Sequence, residues 1–397
     1  MIYLDHAATT PLKPEVFSAM QPYLREEYGN PSGIYQFSAE TKKKVEQARK
    51  RIADTLQAKP EEIYFTSGGT EADNWALKAG ASLRKEKGKH IITTKIEHHA
   101  VLRSCEALEK EGYTVTYLDV DEKGRVSPET VEKALRPDTI LVSVIYANNE
   151  VGTIQPVKEI GEITGKRNIL FHTDAVQAYG HLPIAVREEH IDLLSASGHK
   201  CGGPKGTGFL YVKAGIALPS LIHGGGQEQG KRAGTENVAG IIGLGKAAQL
   251  AEENRETEGK KIEELRNYLC ERLEKEIPFC RLNGSRKQRL PGNCCMSFSF
   301  LEGAALLLFM DEEGICASAG SACSAGTKRP SHVLSAMGLP DSLARGTIRL
   351  TLGEQNTKEE MDKTVDVVKK AVEKLRKNSP EYEDFQFRGE MKPADFC

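Results

Sequence analysis

The sequence has no apolar run long enough to cross a membrane. Its longest, near Ala304–Met310, falls far short of the ~20 residues a bilayer demands. Met1–Thr10 carries Asp5 and His6 instead of a basic start followed by an apolar stretch, so no signal peptide is expected. No CxxC spacing occurs among the nine cysteines, which argues against a zinc site or a thioredoxin-like pair, and no metal is expected. An excess of one charge is also missing. Lys plus Arg is 54 and Asp plus Glu is 56, for a net charge of −2. Binders of nucleic acid or of membrane surfaces draw affinity from a basic excess, so neither partner is expected. Repeats and low-complexity tracts are absent. What remains is a chain of 397 residues, 39% hydrophobic and 28% charged, with reduced cytoplasmic thiols and room for two domains.

From Glu61 to Val212 short β-branched runs alternate with helical patterns. Strands are expected at Ile63–Thr66, His90–Thr93, Thr114–Leu118, Ile140–Ile145, Ile169–His172, Leu193–Ser195 and Gly208–Val212, with helices such as Glu71–Arg84, Ala100–Glu111 and Val157–Lys166 between them. That alternation predicts an α/β fold, a mostly parallel seven-stranded sheet with helices on both faces. Ligands of such sheets sit in the loops after the strands. Beyond Thr235 the pattern changes to one long helix up to about Cys280, a β-like run at Met296–Phe300, a helix at Gly303–Glu312, a strand at Thr347–Thr351 and a helix at Lys358–Lys377. A smaller α+β domain is expected there. The division is 12–255 for the large domain, 1–11 with 256–377 for the small one, and 378–397 for an aperiodic tail.

Several strand-end loops carry chemistry. Lys200 lies in Ser195-Ala-Ser-Gly-His-Lys200, directly after a strand and before the glycines of Cys201–Gly208. A lysine that attacks carbonyls needs such a position, and the glycines let the backbone approach a bulky ligand. Thr66-Ser-Gly-Gly-Thr70 reads as strand, turn and helix start, a cradle for phosphate or a plain helix cap. Asp174, with Gln177 three positions on, reads as a helix start whose carboxylate either caps the helix or holds a protonated ring nitrogen. His98, beside His99, suits ring stacking or proton transfer better than metal binding. Cys323 is embedded in Gly320-Ser-Ala-Cys-Ser-Ala-Gly326 with Lys328 and Arg329 close by, a setting for a reactive thiol more than for a packed one. Arg349, alone in the strand, either pairs with an internal carboxylate or clamps a substrate carboxylate.

With Tyr3-Leu-Asp-His-Ala-Ala-Thr-Thr-Pro11, Gly29-Asn-Pro-Ser32, Asn148-Asn-Glu-Val-Gly152 and Arg232-Ala-Gly-Thr235 added, the chain resembles the NifS/IscS-type cysteine desulfurases. These are class V aminotransferase relatives with the pyridoxal-phosphate fold type I, and the resemblance runs nearly the whole length. It implies a homodimer that uses pyridoxal 5'-phosphate to convert L-cysteine to L-alanine and passes the sulfur, as a persulfide on Cys323, to an acceptor such as an iron–sulfur scaffold or a thiolation protein. Lys200 would carry the cofactor and move the substrate Cα proton. Asp174 would hold the ring nitrogen, Gln177 the ring hydroxyl, His98 would stack on the ring and act in proton transfer, and Asn149 would also contact the cofactor. Gly69, Thr70, Ser197 and His199 would bind the phosphate with Thr235 of the second subunit, while Asn30, Asn149 and Arg349 would hold the substrate carboxylate. Gly69 departs from the family, where alanine is common, and Cys201 is an extra thiol. The alternatives are a selenocysteine lyase or another class V relative; an aminotransferase would need no nucleophilic thiol.

Overall fold

The computed structural model describes residues 1–319 and 330–388. Its strands in chain order are β1 Ile2–Tyr3, β2 Ile63–Thr66, β3 His90–Thr94, β4 Thr114–Leu118, β5 Thr139–Ser143, β6 Leu170–Asp174, β7 Leu193–Ser197, β8 Gly208–Val212, β9 Cys280–Leu282, β10 Asn293–Phe298, β11 Ile315–Cys316, β12 Ser318–Ala319 and β13 Thr347–Thr351. Seven of them form one sheet in the order β2-β8-β7-β6-β5-β3-β4. Only β8 runs against the others.

Side chains alternate across a strand, and here both faces are apolar. Ile92, Val142, Phe171, Leu194 and Phe209 join one buried cluster with the helices Gln36–Thr55 and Val238–Glu276. Their neighbours Ile91, Leu141 and Leu170 join another with Leu77 and Ala81 of the helix Gly69–Arg84, and Leu193 and Leu210 pack against Trp75 of the same helix. The sheet is therefore covered on both sides. At its carboxyl end the strands turn polar: Thr94, Ser143, Asp174 and Ser197 are the last residues of β3, β5, β6 and β7.

A four-stranded antiparallel sheet, β12-β13-β10-β9, has a core of its own with the helices Gly303–Glu312 and Lys358–Lys377. The long helix Val238–Glu276 serves both cores, through Ile241 and Leu244 at one end and Leu269 and Leu273 at the other. The N-terminal segment ties the two sheets together. β1 pairs with β11, Asp5 bridges to Thr351, and the Thr10 N–H donates to the His199 carbonyl at 2.9 Å.

Three local expectations need correction. No helix starts after Asp174; residues 176–180 are turns, and the Asp174 carboxylate accepts from the Val176 N–H where the chain folds back. The tail is not aperiodic throughout, since Pro380–Arg388 is helical and sets Tyr382 and Phe385 against Phe279 and Phe300. The helices Pro14–Arg25 and Gln36–Thr55 have no counterpart in the expected elements.

Candidate active site

The carboxyl ends of β3, β5, β6 and β7 open on a cavity of about 300 Å³. Gly69, Thr70, His98, Asn149, Asp174, Gln177, Ser197, His199, Lys200 and Arg349 all line it, so ten of the expected residues meet in one place. A short 3-10 turn, Gly198–Lys200, follows β7 and delivers the lysine. Its Nζ donates to the carbonyls of Ala7 and Ala8 at 2.6 and 2.7 Å, and Gln177 Nε2 donates to Ala7 at 2.9 Å. The Asp5–Pro11 segment thus forms a wall whose backbone oxygens hold the two polar side chains.

At one end the cavity adjoins a hollow of about 430 Å³ lined by Gly68, Gly69, Thr70, Ser197, His199 and Lys205. It lies at the N-terminus of the helix Gly69–Arg84, where unbonded N–H groups and the positive end of the helix dipole favour an anion. Gly68 has φ +152°, a conformation that favours glycine. A Cβ on Gly69 would stand 2.5 Å from Val176 Cγ2, so the glycine found in place of the common alanine lets Val176 sit close under the helix start.

Asp174 is buried at the floor and Glu97 is buried near it, and burial pushes both carboxyls up, Glu97 to about 8. For Asp174 the neighbouring His98 and Lys200 pull the other way. Burial also lowers His98, whose Nδ1 accepts from the Ala100 N–H at 3.1 Å as the cap of the following helix. His98 and His99 both reach the cavity, with ring centres 6.4 Å apart, and His332 lies 4.8 Å from His99.

The opposite wall is β13. Buried Arg349 donates to Asp5 Oδ1 and to the Asn149 carbonyl, both at 2.9 Å, so the internal-carboxylate reading of this arginine is met. Its Nε is buried with no partner among the described residues, and Nη1 and Nη2 each carry a second N–H beyond these two bonds. Glu150 is buried beside it, accepts from the Ser331 hydroxyl, and is raised by burial to about 7, with Ser331 and Arg349 lowering it.

Three expected residues are not brought in. Asn30 is exposed, its Oδ1 accepting from the Ser32 N–H, and does not line the cavity. Thr235 is exposed and lines neither hollow of its own chain; Arg232, three residues before it, is paired with Glu71 at 2.8 Å. Cys323 lies outside the described residues, as does Cys397. Cys201 is buried directly after the 3-10 turn, its thiol pushed up to about 12 by burial. The cavity also gathers residues to which the sequence pattern assigns no role, Asp73, Glu150 and His332, with Asp5 paired to Arg349. Asp5 and Glu150 stand inside motifs that carry the resemblance, whereas Asp73 and His332 have no visible signal.

The donor set suits pyridoxal phosphate. A helix start with a hydroxyl and an imidazole faces a hollow with room for a phosphate, a buried carboxyl stands at the floor, and a lysine lies between them. Residues 2–364 match the model of the class-V aminotransferase family. The chain is 53% identical to a cysteine desulfurase IscS of Clostridium botulinum over 98% of this chain and 99% of that one. It is also 53% identical to one of Methanosarcina thermophila, covering 96% and 94%. Among solved structures it is similar to a NifS-like protein with a TM-score of 0.88 at 38% identity, covering 94% and 99%. A second, SspA in complex with cysteine, gives 0.81 at 39%, covering 90% and 100%. The chain belongs to the class-V aminotransferase family, in its pyridoxal-phosphate-dependent cysteine desulfurase branch.

Proposed function

We propose that the chain is a cysteine desulfurase acting on L-cysteine, and that the residues assembled at the sheet's carboxyl end carry the reaction. The observation that supports it most is the convergence of Lys200, Asp174, His98 and Arg349 on one cavity. When bound, pyridoxal phosphate supplies an electron sink that acidifies the substrate's Cα–H. Asp174 would hold the ring nitrogen, Gln177 the ring hydroxyl, and Gly69, Thr70, Ser197 and His199 the phosphate, with His98 over the ring.

The Arg349 guanidinium would meet the substrate carboxylate while Asp5 and the Asn149 carbonyl hold it still, so orientation is set before the ligand arrives. The Asn149 side chain lines the same wall. Lys200 Nζ, delivered by its turn, is the base for the Cα proton. Cys323 then takes the sulfur: its S–S bond forms as the substrate's C–S bond breaks, Cβ gains a proton, and alanine and a persulfide result. The atoms balance without any external oxidant.

The smaller pieces of the reading follow the resemblance. The protein acts as a cytoplasmic homodimer in which Thr235 reaches the partner's phosphate, which accords with its absence from its own hollow. Asn30 adds to the carboxylate site, and an iron–sulfur scaffold or a thiolation protein accepts the sulfur. Residues 12–255 form the cofactor domain, and 1–11 with 256–377 the smaller one, a division supported by the two separate cores. Among the described residues no helix is long and apolar enough to cross a membrane.

The test is turnover with the purified protein. L-Cysteine should yield alanine and protein-bound sulfur in equal amounts, with Cys323→Ser binding cysteine but releasing no alanine. Alanine formation by that variant at the parent rate would overturn the role of Cys323. Faster release of selenium from selenocysteine than of sulfur from cysteine would favour the lyase alternative.

A further inference from the structure

Asp73 sits in the first turns of the helix Gly69–Arg84, is 1% exposed, and lines the same cavity. One polar atom each of Asp73, His98 and Asp174 lies within 4.8 Å of the other two. Titratable groups face Asp73 from each element packed around it. From β6 come Asp174 and His172, whose Nε2 is 3.6 Å from Asp73 Oδ1. His172 is fully buried and pushed down to about 3 by desolvation, so it is neutral. Its ring nitrogens face the Ser143 and Ser195 hydroxyls at 2.8 and 3.0 Å. From the loop before the next helix come Glu97 and His98, and across the cavity Lys200. Asp73 Oδ1 and Glu97 Oε2 accept no hydrogen bond among the described residues.

Asp73 and Asp174 therefore share a wall with Glu97 buried close to them, and among the described residues this wall holds no arginine, its one lysine being Lys200. Like charges at this separation in a dry interior do not ionise together. One carboxylate is needed opposite a protonated ring nitrogen, and Asp174 is the residue placed at the strand end to provide it. We propose that Asp73 is a positioning residue that keeps its proton in the loaded protein, so that a neutral carboxyl stands beside Asp174 and one negative charge, not two, faces the ring nitrogen. A buried carboxylic acid held neutral at pH 7 is a known device for setting the electronics of a site. Here burial, Asp174 and Glu97 all act to keep the proton on Asp73, and only the Ser195 hydroxyl opposes them.

The proposal rests on the reading of this cavity as the pyridoxal-phosphate site, and the test separates the two. Asparagine has the size of a protonated aspartate and no charge, so Asp73→Asn should be close to silent. In the loaded protein it should remove one protonated-carboxyl stretching band seen at neutral pH in the infrared. It should move the pH midpoint of the cofactor's visible absorbance by less than about half a unit. A shift of about half a unit or more, or no loss of a protonated-carboxyl band, overturns the proposal. Should the variant fold poorly, the wild-type protein grown with isotope-labelled aspartate answers the same question. A protonated-carboxyl band that moves with the label supports the proposal, and the absence of one contradicts it. Cofactor capture is scored independently, by visible absorbance that Lys200→Ala removes, so failure of the cavity reading and ionisation of Asp73 leave different signatures.

Discussion

The two walls of the cavity surround their carboxyls with different partners. At the floor, Asp73, Glu97 and Asp174 stand together with histidines and Lys200, and desolvation leads the shift of each. At the β13 wall, Asp5 and Glu150 flank Arg349; Asp5 is ion-paired to it at 2.9 Å, and the guanidinium opposes the effect of burial on Glu150. Burial alone favours the neutral acid, whereas a fixed cation beside it opposes that effect. The floor is thus built to retain protons and wait for a cationic ring, and the far wall to keep a cation oriented for an anion. One pocket offers a place for each end of a zwitterion bound to a cofactor.

The comparison breaks most visibly at the lysine between the walls. Lys200→Ala should abolish the visible absorbance that borohydride fixes to the protein and lower turnover by about 10³-fold or more. Reduced cofactor found on Lys205 or Lys213 would refute the assignment. At the β13 wall, Arg349→Lys keeps the charge and loses the planar fork. KM for L-cysteine should rise by roughly 10- to 100-fold with the absorbance intact, and binding of an amine without a carboxylate should not change.

At the floor, Glu97→Gln is read out as stability against pH. Folded Glu97 keeps its proton to about pH 8, while an unfolded glutamate releases it near 4.5. The folded state therefore binds more protons in that window, and stability falls as pH rises through it. The variant should flatten this dependence in thermal unfolding; an unchanged slope would contradict the assignment. The smallest effect is expected for Gly69→Ala. Its Cβ would meet Val176 Cγ2, a stiff β-branched side chain, and pyridoxal phosphate should bind about threefold to tenfold more weakly by equilibrium titration. Equal or tighter binding would show that Val176 gives way freely.

Much of this was legible in the amino-acid order, for identifiable reasons. The seven strands of the main sheet all have matching runs in the sequence, because a sheet covered on both faces writes itself as short apolar runs such as Leu193-Leu194 and Phe209–Val212. Lys200, Asp174 and His98 follow strand ends, where such a fold keeps its ligands. What stayed hidden depends on contacts between distant segments. Asp73 looks like any exposed helical acid until the helix packs its face on β6 and β7, and Asp5 gains meaning only when the N-terminal segment meets β13, 344 residues on. Thr235 is a third case, for its expected role depends on a second chain. Side-chain chemistry is local and readable; the pairing of two charges from opposite ends of a chain is not.

The central claim is that this cavity removes sulfur from L-cysteine and places it on one thiol. Its most direct test is peptide mass spectrometry of the loaded protein after brief exposure to L-cysteine, with free thiols and persulfides tagged differently. The account predicts one extra sulfur on the peptide containing Cys323, in an amount matching the alanine released, and none on Cys201 or Cys316. Alanine released with the sulfur on another cysteine, or with no bound sulfur at all, would contradict it.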